Sequence, residues 1–311
     1  MMLGGVGESA GLLFSIFLSD LLPVFLIAFV GVLLARFARA QIDTVSRVTF
    51  HALAPALVFT MLVTSTLGGV AFGRMALFYA MVAASAGLIA RVAAIPLGLD
   101  RRALSAFMLV VVCSNSGNLG LPVTSLAFGR EALTFATVYF VSSAMFSYTG
   151  GILIAASGRL SIARAFARVL RVPAVYGAAA AIVAKSFGLV VPDLAMRPIT
   201  LLSDAALPMM ILVLGMQLER TTWPKRPGVV AVAVALSLVV TPLLAFGAAR
   251  LLNLSGPALQ AGILQASMPT AVITTILALE FDTSPDFVAS VVCTATLLSP
   301  LTLTAIIAML Q

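Results

Sequence analysis

Apolar runs of about 20 residues, separated by short polar connections, recur from near residue 12 to the last residue. A helix of about that length crosses a ~30 Å hydrocarbon core. The pattern predicts ten spans, at about 14–35, 45–66, 72–96, 103–129, 131–156, 172–190, 196–218, 228–251, 257–281 and 286–310. No intervening stretch is long enough for a soluble domain. The longest polar connection, "SGRLSIARAFARVLR" over 157–171, is the one linker; it separates a first five-span repeat, 12–156, from a second, 172–311. The first run has no Lys or Arg before it, lacks a signal peptide's basic leader, and is expected to remain as the first span.

Composition removes the soluble alternatives. Hydrophobic residues make up 61% of the 311 and charged residues only 9%, far from what a soluble surface requires. The +7 net charge is spread over the connections rather than gathered on one face, which excludes a nucleic-acid partner and makes the basic residues topology signals. With the N-terminus outside, 13 of the 18 basic residues fall in cytoplasmic connections. Both termini are therefore expected to be extracytoplasmic, in a bacterial inner (plasma) membrane. Cys113 and Cys293 lie in apolar segments without metal-ligand spacing, so no metal or cofactor is implied.

Five spans per half put the two halves in opposite orientations, so any similarity between them is an inverted repeat. Pro23, Pro55 and Pro122 are answered by Pro173, Pro208 and Pro269, at offsets of 150, 153 and 147 residues. The fold expected is all-α, with ten transmembrane helices in two inverted five-helix repeats and with helices 4 and 9 broken and crossed.

The break in the fourth span is written in "CSNSGNLGLPVTSLAFG", Cys113 to Gly129, and that in the ninth in "QASMPTAVITT". In hydrocarbon an interrupted helix is tolerated only where protein or a water-lined cavity surrounds it. Matched broken helices in inverted halves point to a transporter's midplane site. Half-helix N-termini favour an anion by ~0.3–1 kcal/mol when exposed and up to ~2 kcal/mol when partly buried. Neutral amides add donors without the ~2.5–3.5 kcal/mol cost of placing a charge at the membrane centre. The candidate binding residues are Asn115, Ser116, Asn118, Gly120 and Pro122 from the first break, and Gln265, Ser267, Pro269 and Thr270 from the second. Small polar residues also serve as helix-helix contacts in membranes, so each carries a structural reading beside the functional one.

Two ionisable residues stand apart. His51 and Asp204 each precede a proline by four residues, which places them at equivalent depths of the second and seventh spans as candidates for ion coupling. His51 also follows Arg47 closely, as an interfacial residue would, and Asp204 could instead pin helices through local hydrogen bonds.

At these residues the sequence resembles the auxin efflux carrier family, which includes plant PIN auxin exporters and bacterial carriers of malate, malonate and related anions. "NSGNLGLP" resembles its Asn-x-x-x-x-Gly-x-Pro crossover, matched by Asn115, Gly120 and Pro122. "QASMPTAV", "LEFDTSPDF" and "LLSDAALPMMILVLG" resemble its ninth-span crossover, the loop behind it and its seventh span. The resemblance implies a scaffold of spans one, two, six and seven, a transport domain from the rest, and elevator-like alternating access. It lacks the long cytoplasmic loop of many plant members, which separates it from an auxin assignment.

An intramembrane hydrolase would have to use His51, the single histidine, with a serine such as Ser116, or two facing aspartates, and Asp204 has no evident acidic partner within the spans, so an enzyme is not expected. A cation/proton antiporter of related crossed-helix architecture would want carboxylates at the crossing, where this chain has Asn, Gln, Ser and Thr. The expectation is therefore a secondary or facilitative carrier of a small organic anion, a mono- or dicarboxylate. Proton coupling, sodium coupling, a homodimer, uptake and export are all compatible with the sequence.

Overall fold

The computed structural model describes residues 11–156, 168–219 and 226–311, and every regular element within them is a helix. In chain order these are α1 (Gly11–Arg36), α2 (Ile42–Val63), α3 (Gly69–Ala93), α4 (Arg101–Val112), α5 (Ser116–Ala155), α6 (Pro173–Ser186), α7 (Asp193–Leu218), α8 (Pro227–Leu251), α9 (Gly256–Ala266), α10 (Ile273–Glu280) and α11 (Pro285–Leu310). Among the described residues, seven of them (α1, α2, α3, α5, α7, α8 and α11) are long and apolar enough to cross a membrane.

The remaining expected spans differ from single rods. The fourth is divided between α4 and the start of α5, the ninth between α9 and α10, and α6 has only 14 residues. The 40-residue α5 bends at Gly129, whose φ of 74° and ψ of −165° are open essentially to glycine, leaving arms 116–128 and 130–155. Residues 157–167, most of the expected linker, lie outside the described residues, as do Arg220 and Lys225.

Proline leaves a regular signature. Phe17–Leu21, Thr49–Leu53, Ser116–Gly120 and Leu236–Val240 are π-helical turns, and each ends two residues before a proline: Pro23, Pro55, Pro122 and Pro242. Proline has no N–H to donate, and its ring presses on the carbonyl one turn back. Widening that turn to an i→i+5 bond relieves the clash and keeps the helix going. The prolines therefore bulge these helices without breaking them. Pro122 follows the π-turn that opens α5, and the actual break lies upstream of both at Cys113–Asn115.

Helices approach most closely where glycine removes a side chain, the usual device in membranes, where apolar burial gives little net drive. A Cβ on Gly215 would strike the Ala28 carbonyl, and one on Gly31 the Leu212 carbonyl, so α1 and α7 meet backbone to backbone. Gly177 of α6 sits in the same way against the Pro55 carbonyl of α2. The outer surface is apolar: Val70 is 77% exposed, Leu201 72% and Leu301 74%, on three different helices.

Polar contacts gather at two ends of the molecule. At one, Lys185 Nζ donates to the carbonyls of Ser65 (2.7 Å) and Leu67 (3.0 Å), and Gln260 Nε2 to the Leu310 carbonyl (3.1 Å). At the other, Arg168 pairs with Glu280 at 2.7 Å and lies over the Phe281 ring, while Arg102 pairs with Asp282 at 2.8 Å. The acidic stretch before α11 is thus paired with arginines from the start of α4 and from the segment that leads into α6.

Candidate substrate-binding site

Two unwound segments meet inside the bundle. After α4, Cys113 turns extended (φ −94°, ψ 97°), and Asn115 (φ −78°, ψ 58°) forms a tight turn in which Ser116 N–H donates to the Ser114 carbonyl at 2.9 Å. Between α9 and α10 the chain is unwound around Pro269. Ser114 and Thr270 face each other as an antiparallel bridge. Asn115 N–H donates to the Pro269 carbonyl (2.7 Å) and Ala271 N–H to the Cys113 carbonyl (2.8 Å). Each segment supplies the backbone partners that the other lost on unwinding, which is how both breaks are tolerated away from water.

A cavity of about 400 Å³ lies against this pairing. One wall comes from α2 (Ser46, Arg47, Phe50, His51), from Arg171–Ala174 entering α6, and from Gln217 of α7. The other comes from Ser114–Asn118, from Phe140–Tyr148 of the second arm of α5, and from the start of α10. Three π-turns border it: those holding His51, Asn118 and Ser147. Such bulges are frequent at functional sites because they re-aim side chains and loosen backbone bonds.

The floor is polar and buried. Asn115 is 4% exposed, Ser116 2% and Asn118 5%. Ser116 and Ser143 share a hydroxyl hydrogen bond of 2.6 Å, and Ser147 Oγ donates to the Ser143 carbonyl. Asn118 Nδ2 donates to Gln217 Oε1 at 3.3 Å. Asn115 Nδ2 and Asn118 Oδ1, in two of the lining residues, are buried without a hydrogen-bond partner. Arg47, His51 and Arg171 are exposed at the rim. His51 Nδ1 lies 3.1 Å from the Arg47 carbonyl, which can only accept, so a hydrogen bond there requires the proton on Nδ1. No Asp or Glu lines the cavity among the described residues.

Of the residues expected from the sequence, Asn115, Ser116, Asn118 and His51 line this cavity. Gly120, Pro122, Gln265, Ser267, Pro269 and Thr270 do not. Gln265 is fully buried, with Nε2 donating to Thr124 Oγ1 at 3.3 Å and Oε1 lodged against Gly120, where a Cβ would collide with it. Ser267 Oγ donates to the Ile263 carbonyl and Thr270 Oγ1 to the Val110 carbonyl, each at 2.7 Å. These groups hold the broken segments in place. Asp204 lies on the exposed face of α7, outside the cavity, so it and His51 have different surroundings despite equivalent sequence positions.

Sequence reasoning missed Gln217, Ser143 and Ser147, and read Arg47 and Arg171 only as topology charges. Ser143 and Ser147 carried a usable signal, an i, i+4 polar stripe in an apolar helix. Gln217 had none beyond being polar near the end of a span.

The chain matches a family model described as membrane transport protein, Mem_trans, over residues 16–307. It belongs to that family, the auxin efflux carriers. It is also similar to an uncharacterized transporter of Methanothermobacter thermautotrophicus, 27% identical over 281 residues, which are 90% of this chain and 93% of the relative. This member of the family is thus an integral membrane transporter with several apolar helices, and the cavity at its paired breaks is the candidate for the path of its cargo.

Proposed function

We propose that this transporter is a secondary or facilitative carrier of a small organic anion, a mono- or dicarboxylate, held in the cavity beside the paired breaks. The observation that carries the reading is the chemistry of that cavity: an unpartnered amide donor on the lining residue Asn115, two rim arginines, and no lining carboxylate among the described residues. The arm 116–128 also begins at the cavity, so its positive dipole end favours negative charge there. A volume of about 400 Å³ is at the small end for ligand sites. A cation carrier would need oxygen ligands and negative charge in place of arginines.

In this reading ten spans form two inverted repeats, and the antiparallel bridge at Ser114 and Thr270, two-fold by its nature, supports a local axis between the halves. The cavity is walled by α2, the entry to α6 and α7 on one side and by α4–α5 and α10 on the other, which supports movement of the second group against the first. Repeats of 12–156 and 172–311, an inner-membrane setting and outward termini complete the proposal.

The test is uptake of labelled acetate, malonate and succinate into proteoliposomes, with a pH gradient, a sodium gradient or neither. Saturable flux that Asn115→Ala weakens supports the carrier. Absence of anion flux together with cation-dependent proton movement would replace it with the antiporter.

A further inference from the structure

We propose that Gln217 is a specificity-determining residue: its amide pair with Asn118 selects which edge of Asn118 faces the cargo. The inference rests on the anion-carrier reading above and adds to the site a residue from the opposite wall. Asn118 lies on the π-turn of the broken segment, whereas Gln217 belongs to α7, and the bond between them bridges the cavity floor. Two residues before Gln217, Gly215 rests directly on the Ala28 carbonyl, so this end of α7 is seated against α1 and cannot shift alone.

An amide carries a donor at one end and an acceptor at the other, in nearly the same shape. The pair therefore has two self-consistent arrangements. With Asn118 Nδ2 donating to Gln217 Oε1, as here, the buried and unpartnered Asn118 Oδ1 is left as an acceptor. With both amides turned over, Gln217 Nε2 donates to Asn118 Oδ1, and the Asn118 NH₂ is released as a second donor beside Asn115 Nδ2. The first arrangement suits a hydroxyl, a protonated acid or an amide N–H; the second suits a carboxylate. An anion entering the cavity turns the pair to its donor form, and the pair survives the turn because residue 217 is able to donate.

Glutamate at 217 preserves the shape but accepts only, so it locks Asn118 with its acceptor toward the cargo and adds a repelling charge. In proteoliposomes, with malonate and its neutral diamide malonamide as paired probes, Gln217→Glu should raise the KM for malonate about 10- to 100-fold with Vmax nearly unchanged, and lower the malonate-to-malonamide uptake ratio. Gln217→Ala, which frees Asn118 to turn, should have a smaller effect. Placed on Asn118→Ala, Gln217→Glu should lower the malonate-to-malonamide ratio by less than it does on the wild type, what remains being the bare charge. Equal KM values for the wild type, Gln217→Ala and Gln217→Glu, or effects of Gln217→Glu that persist in full without Asn118, overturn the inference while the anion carrier stands. Wild-type protein that moves neither acetate, malonate nor succinate overturns the carrier reading itself.

Discussion

Asn115→Ala should separate binding from folding. The Asn115 side chain is 4% exposed, and its Nδ2 has no hydrogen-bond partner. A buried donor without a partner costs roughly 1–3 kcal/mol, because it has given up water for nothing. Removing it should leave the thermal stability of the empty protein equal to or above that of the wild type. The backbone bonds that hold the break, Asn115 N–H to the Pro269 carbonyl and Gly120 N–H to the Asn115 carbonyl, survive in alanine. With a carboxylate bound the balance reverses: a neutral donor to a charged acceptor contributes ~1.5–3 kcal/mol. That corresponds to a rise in KM of about 10- to 150-fold. The assay pairs thermal unfolding in detergent, without cargo, with saturation kinetics in proteoliposomes for the probe that the wild type transports. A variant that unfolds at a clearly lower temperature yet keeps its KM would refute the reasoning, and Asn115 would be a packing residue of the crossing.

Three further outcomes follow from the geometry. A Ser114→Cys, Thr270→Cys pair should form a disulfide under mild oxidant, because directly opposed residues of a non-hydrogen-bonded antiparallel pair lie about 4.5 Å apart at Cα, within disulfide range; transport should continue in the oxidised protein, since both residues lie in the same moving group, and failure to cross-link would contradict the pairing. Gly215→Ala should lower thermal stability by about 1–3 kcal/mol by forcing α7 off the Ala28 carbonyl, whereas Gly73→Ala, with open space around it, should not. Thr270→Val should cost about 1 kcal/mol of stability by losing the Val110 bond, with KM unchanged, since its hydroxyl faces α4 and not the cavity. A large KM change in that variant would return Thr270 to the binding set.

The ends of the interrupted helices were largely legible. "CSNSGNLGLP" announced a break in the fourth segment, and the break falls at its first residues, Cys113–Asn115. The role of Pro122 was not legible in the same detail. Whether a proline breaks a helix or bulges it depends on whether the turn before it has room to widen, and neighbouring helices set that room. The lining of the cavity was legible in part. Asn115, Ser116 and Asn118 face the cavity, while Gln265, equally polar and equally placed in its own half, turns toward Thr124 and Gly120.

Hydropathy along the chain was enough for a helical membrane protein, because the cost of leaving backbone groups or charges in hydrocarbon acts on each segment by itself. Proline and glycine marked the irregular turns for the same reason: their effects are exerted within a few residues of themselves. Which polar side chains meet was decided only by the tertiary structure. Asn118 and Gln217 are 99 positions apart, and Gln265 and Thr124 are 141 apart. A helix can turn any face to its neighbours, and the faces are chosen by close backbone contacts such as Gly215 on Ala28 and Gly177 on Pro55, contacts that exist only once all the helices are assembled.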